Sequence, residues 1–192
     1  MILLQQIRLF GLRLVRPIIK FIDGFHLPHT NIDDDAFEIL LRDLQDGDIL
    51  LSRNNWNLTN LTIPGFWKHA AIYCQGYAIE AVGDGVRKEH FAKWLFTKDH
   101  VIVLRPTFCH ELVRSAAGVV AASMIGKPYD LDFSPGVEAF YCSELVYWSY
   151  DEAMGNESPF KPRTIMGVET IAPDDFVRAR SKFQIIFMHK GR

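Results

Sequence analysis

Two apolar runs separated by only two residues constrain this chain more than any other feature. "KHAAIYC" (68–74) and "YAIEAV" (77–82) flank Gln75 and Gly76. So short a connection between runs of strand composition forces an antiparallel hairpin. "GDG" (83–85) turns the chain again beyond it. In such a hairpin Glu80 lies across from the beginning of the first strand, which makes His69 and Glu80 cross-strand neighbours. A lone acid in a strand ordinarily faces solvent, and a strand histidine is ordinarily structural. Their pairing is what makes them notable.

The remaining pattern is that of an α+β domain with a mainly antiparallel sheet packed against helices. "DILLSR" (48–53) begins a strand after an Asp-Gly turn, and "HVIVLRP" (100–106) and "KFQIIFMH" (182–189) read as further strands. "HTNIDDDAFEILLRDLQDGD" (29–48) reads as a loop, a short helix and a turn. The Ala-rich run at 109–126 reads as a helix ended by Gly126. Residues 54–67 form an Asn/Thr-rich loop carrying Trp56, Phe66 and Trp67, suited to a surface loop or a pocket rim.

"EAFYCSELVYWSYDEA" (138–153) sets Cys142 at the start of another helix, with Leu145, Val146, Ser149 and Ala153 at helical spacing. A helix N-terminus stabilises an anion, so a thiol there titrates lower than usual. Its free N–H groups also accept charge developing on a carbonyl oxygen. Cysteine packs well too, and an inert buried thiol is the plain alternative. A nucleophile needs a base. Of seven histidines, only His69 stands near the start of a clear strand, where its ring is held rigidly. His26 and His29 share a polar loop without a third metal ligand in view, while His90, His100, His110 and His189 flank elements and read as surface residues.

Together, "GDILLSR", "WKHAAIY", "AIEAVGDGV", "GKPYD" and "YCSELVYWSY" resemble the circularly permuted papain-like hydrolases of the YiiX/YebB type, relatives of NlpC-type amidases and lecithin:retinol acyltransferase-like enzymes. The histidine strand precedes the cysteine helix, as in the permuted group, and the resemblance spans roughly residues 40–190. It implies a permuted papain-like, NlpC-like fold with Cys142 as nucleophile, His69 as base and Glu80 as the third, polar member. Tyr141, just before the cysteine, resembles the family pattern, and Tyr129 follows "GKP" in a turn near the expected cleft; both are oxyanion or pocket candidates, with plain packing as the alternative. The implied reaction is hydrolysis of an amide or ester in a small molecule, peptide or lipid, through an acyl-enzyme and without metal or organic cofactor. Transfer of the acyl group to another acceptor, as in an acyltransferase or phospholipase-like enzyme, and a catalytically silent binding module are the alternatives.

The first 22 residues stand apart. They hold Arg8, Arg13, Arg16 and Lys20 and no acid, leaving 17 basic against 23 acidic groups elsewhere. Charges interrupt the apolar run too often for a spanning helix. An amphipathic helix of this kind either docks on its own domain or lies on a membrane surface. Residues 1–39 are therefore assigned to a docked or membrane-surface helix and loop, and 40–192 to the catalytic domain. A formal net charge of −2 gives no reason to expect a nucleic-acid partner. Three cysteines without metal-binding spacing point to a reducing, cytoplasmic setting with peripheral membrane contact through residues 1–22 as an option.

Overall fold

The computed structural model describes residues 32, 34–55, 63–130, 137–165 and 167–191. Residues 1–22, Trp56, His26 and His29 lie outside the described residues. The chain runs through helix α1 (Asp34–Asp43), strand β1 (Ile49–Arg53), the hairpin strands β2 (His69–Cys74) and β3 (Tyr77–Val82), strand β4 (Gly85–His90) and helix α2 (Phe91–Phe96). Then follow β5 (His100–Pro106), α3 (Glu111–Ser123), α4 (Cys142–Ala153), a ribbon of β6 (Arg163–Ile165) and β7 (Val168–Thr170), α5 (Pro173–Arg178) and β8 (Phe183–Lys190). Helix α1 runs across the 39/40 division drawn from the sequence. Among the described residues no helix is long and apolar enough to cross a membrane.

Six strands make one antiparallel sheet in the order β4-β3-β2-β1-β5-β8. Both of its faces are covered. Ile49, Leu51, Ala70, Ile72, Ile102 and Leu104 pack on one side with Ala117 and Ala121 of α3, Leu145 and Tyr150 of α4 and Phe176 of α5. Leu50, Ala71, Ala78, Val101 and Val103 pack on the other with Leu40 of α1 and Phe91, Trp94 and Leu95 of α2. Burial on both sides is why "ILL" and "VIVL" are unbroken apolar runs instead of alternating ones.

The expected hairpin forms, and its turn explains it. Gln75 and Gly76 take φ of 49° and 86°, the pair of left-handed conformations that matches the twist of the flanking strands. Its register refines the expectation, because Glu80 pairs with Ala71 and not with His69. His69 lies two residues earlier on the same face, a diagonal neighbour still within side-chain reach. Strand β4 and helix α2 were not foreseen. β4 is an edge strand that carries the charged Arg87, Lys88 and Glu89, the composition that protects a sheet edge.

Candidate active site

The first turn of α4 is built by its own sequence. Tyr141 is extended just before it, and Glu144 reaches back to accept the Tyr141 N–H at 3.3 Å. Ser143 Oγ donates to the Ile171 carbonyl at 2.7 Å, tying the helix start to the segment entering α5. Cys142, 4% exposed, therefore occupies the first helical position, among N–H groups that have no partner within the helix. All three cysteines are free thiols.

His69 is delivered from the opposite side by an anchored loop. Asp174, at the start of α5, accepts the N–H groups of Phe66 and Trp67 at 2.8 and 2.9 Å. Gly65 has φ +92°, and a Cβ there would come within 2.3 Å of the Asp174 side chain, so only glycine fits that bend. Trp67 is buried and the chain then enters β2 at His69.

Glu80 is 0% exposed yet fully hydrogen-bonded. Its Oε2 shares a 2.8 Å hydrogen bond with His69 Nε2 and accepts the Trp94 indole N–H at 2.9 Å. Its Oε1 accepts the Arg87 guanidinium twice, at 2.9 and 2.8 Å. Arg87 stands directly opposite Glu80 across the β3–β4 pair. With Nε2 committed to Glu80, Nδ1 is the ring nitrogen left for the thiol, and the Cys142 side chain hydrogen-bonds the ring.

These contacts set the charges. Burial alone would raise the Glu80 pKa, but the His69 bond and the charges of His69, Lys98 and Arg87 hold it well below its ordinary 4.5. Burial would lower the His69 pKa, but bonds to Cys142 and Glu80 raise it to about 9. The thiol is likewise raised by burial but lowered overall by the His69 bond and charge, the Ala70 backbone and Ser143. Arg87⁺, Glu80⁻ and His69⁺ thus alternate in sign from the sheet edge toward the thiol at the helix start, whose ionisation the imidazolium favours.

Both tyrosines adjoin this centre in different ways. Tyr141 Oη accepts the Thr170 hydroxyl at 2.7 Å and the Ile171 N–H at 3.1 Å, which braces the helix start. Burial, only partly offset by those bonds, raises its pKa to about 12. Tyr129 bridges to Phe140, and burial followed by the charge of Cys142 pushes its pKa well above 10, so its phenol stays protonated beside the sulfur. Among the described residues no group of three or more His, Cys, Asp or Glu side chains is placed to hold a metal ion.

Comparison with known proteins agrees with this architecture. Residues 43–187 match the model of the permuted papain-like amidase enzymes, YaeF/YiiX, C92 family. The chain belongs to that family. Among solved structures it is similar to YiiX of Escherichia coli O157:H7, described as a metalloprotein, with a TM-score of 0.61 and 21% identity over 76% of this chain and 98% of that one. At that identity the likeness speaks for the fold alone. No curated protein matches.

Cys142, His69 and Glu80 come together, and Tyr129 and Tyr141 flank them. Arg87 and Trp94, which hold Glu80, were missed by sequence reasoning. Continuing the strand meander through "GVRKEH" after the "GDG" turn would have found Arg87. Nothing local separates Trp94 from an ordinary core tryptophan. His100, read as a surface residue, is only 7% exposed because β5 carries it between β1 and β8.

Proposed function

We propose that this amidase-family chain is a thiol-dependent hydrolase that cleaves an amide or ester bond through an acyl-enzyme on Cys142. One observation carries the reading: the His69 ring is held between the buried Glu80 carboxylate and a thiol at a helix N-terminus. The thiolate attacks the substrate carbonyl carbon, and the resulting oxyanion is met by the Cys142 N–H and the Tyr129 phenol. His69 protonates the departing amine or alcohol as the carbonyl carbon–heteroatom bond breaks. It then takes a proton from water, which adds to the acyl-enzyme, releases the acid and restores the thiolate. Glu80 orients the imidazole and stabilises the imidazolium without taking its proton.

None of these steps is routed through a metal. The test is intact-mass analysis after brief exposure to a thiol-directed electrophile at near-neutral pH. A single rapid adduct that maps to Cys142, is lost in His69→Ala and is insensitive to a chelator supports the reading. Equal labelling in His69→Ala, or full turnover of a substrate by Cys142→Ala, would defeat it.

A further inference from the structure

The segment from Thr170 to Asp174, running from β7 into α5, is hydrogen-bonded to both halves of the active site. Toward the nucleophile, Thr170 Oγ1 and the Ile171 N–H donate to Tyr141 Oη at 2.7 and 3.1 Å, and the Ile171 carbonyl accepts Ser143 Oγ at 2.7 Å. Tyr141 and Ser143 are the residues on either side of Cys142 in the chain. Toward the base, Asp174 Oδ1 accepts the Phe66 and Trp67 N–H groups at 2.8 and 2.9 Å, and Lys68 alone separates Trp67 from His69. Only Ala172 and Pro173 stand between Ile171, which holds the helix start, and Asp174, which holds the histidine loop.

That connection is short, buried and itself held. Thr170, Ile171, Ala172 and Pro173 are all buried, and the proline fixes φ at the start of α5. Asp175 accepts the Ala172 N–H at 2.9 Å, and Arg163 of β6 donates to both Asp175 oxygens at 2.9 and 3.0 Å. Asp175 therefore caps α5, and Asp174 is not needed for that purpose. Arg178, on the same helix, stands 3.8 Å from Asp174 Oδ2 and leaves Oδ1 to the distant loop. Two N–H groups on one carboxylate oxygen make charge-assisted bonds, the stronger and more directional kind. Neither α4 nor β2 alone fixes the distance from Cys142 to His69, and a misplacement of about 1 Å in such a pair costs on the order of 10²-fold in rate.

We infer that Thr170–Asp174 is a brace that sets the spacing of Cys142 and His69, with Asp174 as the positioning residue on the histidine side. Its kinetic role rests on the thiol mechanism; the placing of His69 does not. Two readouts in full-length protein test it. The His69 ring titration, followed by NMR, reports the base in its bonds to Glu80 and Cys142. Alkylation of Cys142 by iodoacetamide, in which the thiolate sulfur displaces iodide, reports the thiolate as pH rises, and peptide masses separate it from Cys74 and Cys109. In Asp174→Ala, well below its Tm, the His69 titration is expected to fall from about 9 toward 6.5. The alkylation limb should move up toward the ordinary thiol value as the imidazolium leaves the sulfur, slowing the reaction at neutral pH by about tenfold.

Asp174→Asn keeps an Oδ1 acceptor and should retain both native titrations. A variant that is merely less stable, yet folded at the assay temperature, would also retain them. Native titrations in Asp174→Ala, or titrations as displaced in Asp174→Asn as in Asp174→Ala, overturn the positioning role. Should Asp174→Ala not fold, Asp174→Ser is held to the same criterion. A native Cys142 limb at the ordinary thiol value counts against the thiol mechanism, and the His69 titration still decides the brace. The helix side is tested by Tyr141→Phe, which removes the acceptor of the Thr170 and Ile171 bonds and should itself slow alkylation. Combined with the Asp174 variant, it is expected to give a loss smaller than the product of the two single losses. A full product, or an unaffected Tyr141→Phe, means that the two sides are anchored independently and overturns the brace.

Discussion

Glu80, on the sheet side of Cys142, is met by His69, Trp94 and twice by Arg87, whereas Glu144, on the helix side, receives the Tyr141 N–H and lies near Asp130. Burial is the largest influence on both and pushes both upward. The outcomes are opposite. Glu80 is held below its ordinary range, while Glu144, opposed only by one backbone bond and raised further by Asp130, reaches about 8. Donors and neighbouring charge, more than depth, decide whether a buried carboxyl is ionised. One side of the thiol is therefore built to hold a charge and the other to avoid one.

Removing the group that the charged side serves should have the largest effect. Cys142→Ala abolishes the covalent intermediate and His69→Ala comes close to doing so, as single-turnover kinetics will measure. Glu80→Gln keeps nucleophile and base but removes the charge that favours imidazolium. A loss of about 10²-fold in kcat/KM is expected, smaller than that of His69→Ala. The pH profile sharpens the point. Activity should rise as the thiolate forms and fall as His69 loses its acid proton near pH 9, the two limbs belonging to the coupled pair. In Glu80→Gln the falling limb should move to lower pH; an unmoved limb would show that Glu80 does not set the histidine.

Arg87→Met tests the outer support of the same carboxylate. Arg87 is half-exposed, so Glu80 keeps its two inner donors, and a loss of only a few-fold with a smaller shift of the same limb is expected. The smallest effect reads the comparison as stability. Glu80 is depressed, so its contribution is present above its unfolded pKa of about 4.5 and lost as pH falls. Glu144 is raised, so stability is lost as pH climbs from about 4.5 through about 8. Glu144→Gln, which keeps an acceptor for the Tyr141 N–H, should flatten the loss of Tm over that interval. A Tm profile parallel to the native one would remove Glu144 from the argument.

Much of the sheet was legible because turn chemistry and apolar periodicity are local. Gln75-Gly76 sets the hairpin, the unbroken runs at 49–51 and 101–104 mark strands buried on both faces, and the helix from Cys142 starts where its acid can cap it. Cys142, His69 and Glu80 were legible for the same reason, two of them sitting on one hairpin. Glu80 was nevertheless assigned too direct a partner. The two-residue turn fixes the register, Cys74 opposite Tyr77 and so Ala71 opposite Glu80, and counting back from it places His69 on the diagonal.

What the sequence determined by itself was the central hairpin with its neighbouring strands, the helices that follow His110 and Tyr141, and the order in which the histidine strand precedes the cysteine helix. Only the tertiary structure decided what the charged residues are for. Arg87 and Trp94 come from an edge strand and a short helix that look like surface and core, and they become hydrogen-bond donors to Glu80, whose charge His69 holds first of all. Asp174 stands 108 and 107 residues along the chain from the Phe66 and Trp67 N–H groups it accepts. Backbone conformation follows from neighbours in sequence. A side chain's charge follows from the donors, acceptors and solvent around it, and those are assembled only when distant strands pair.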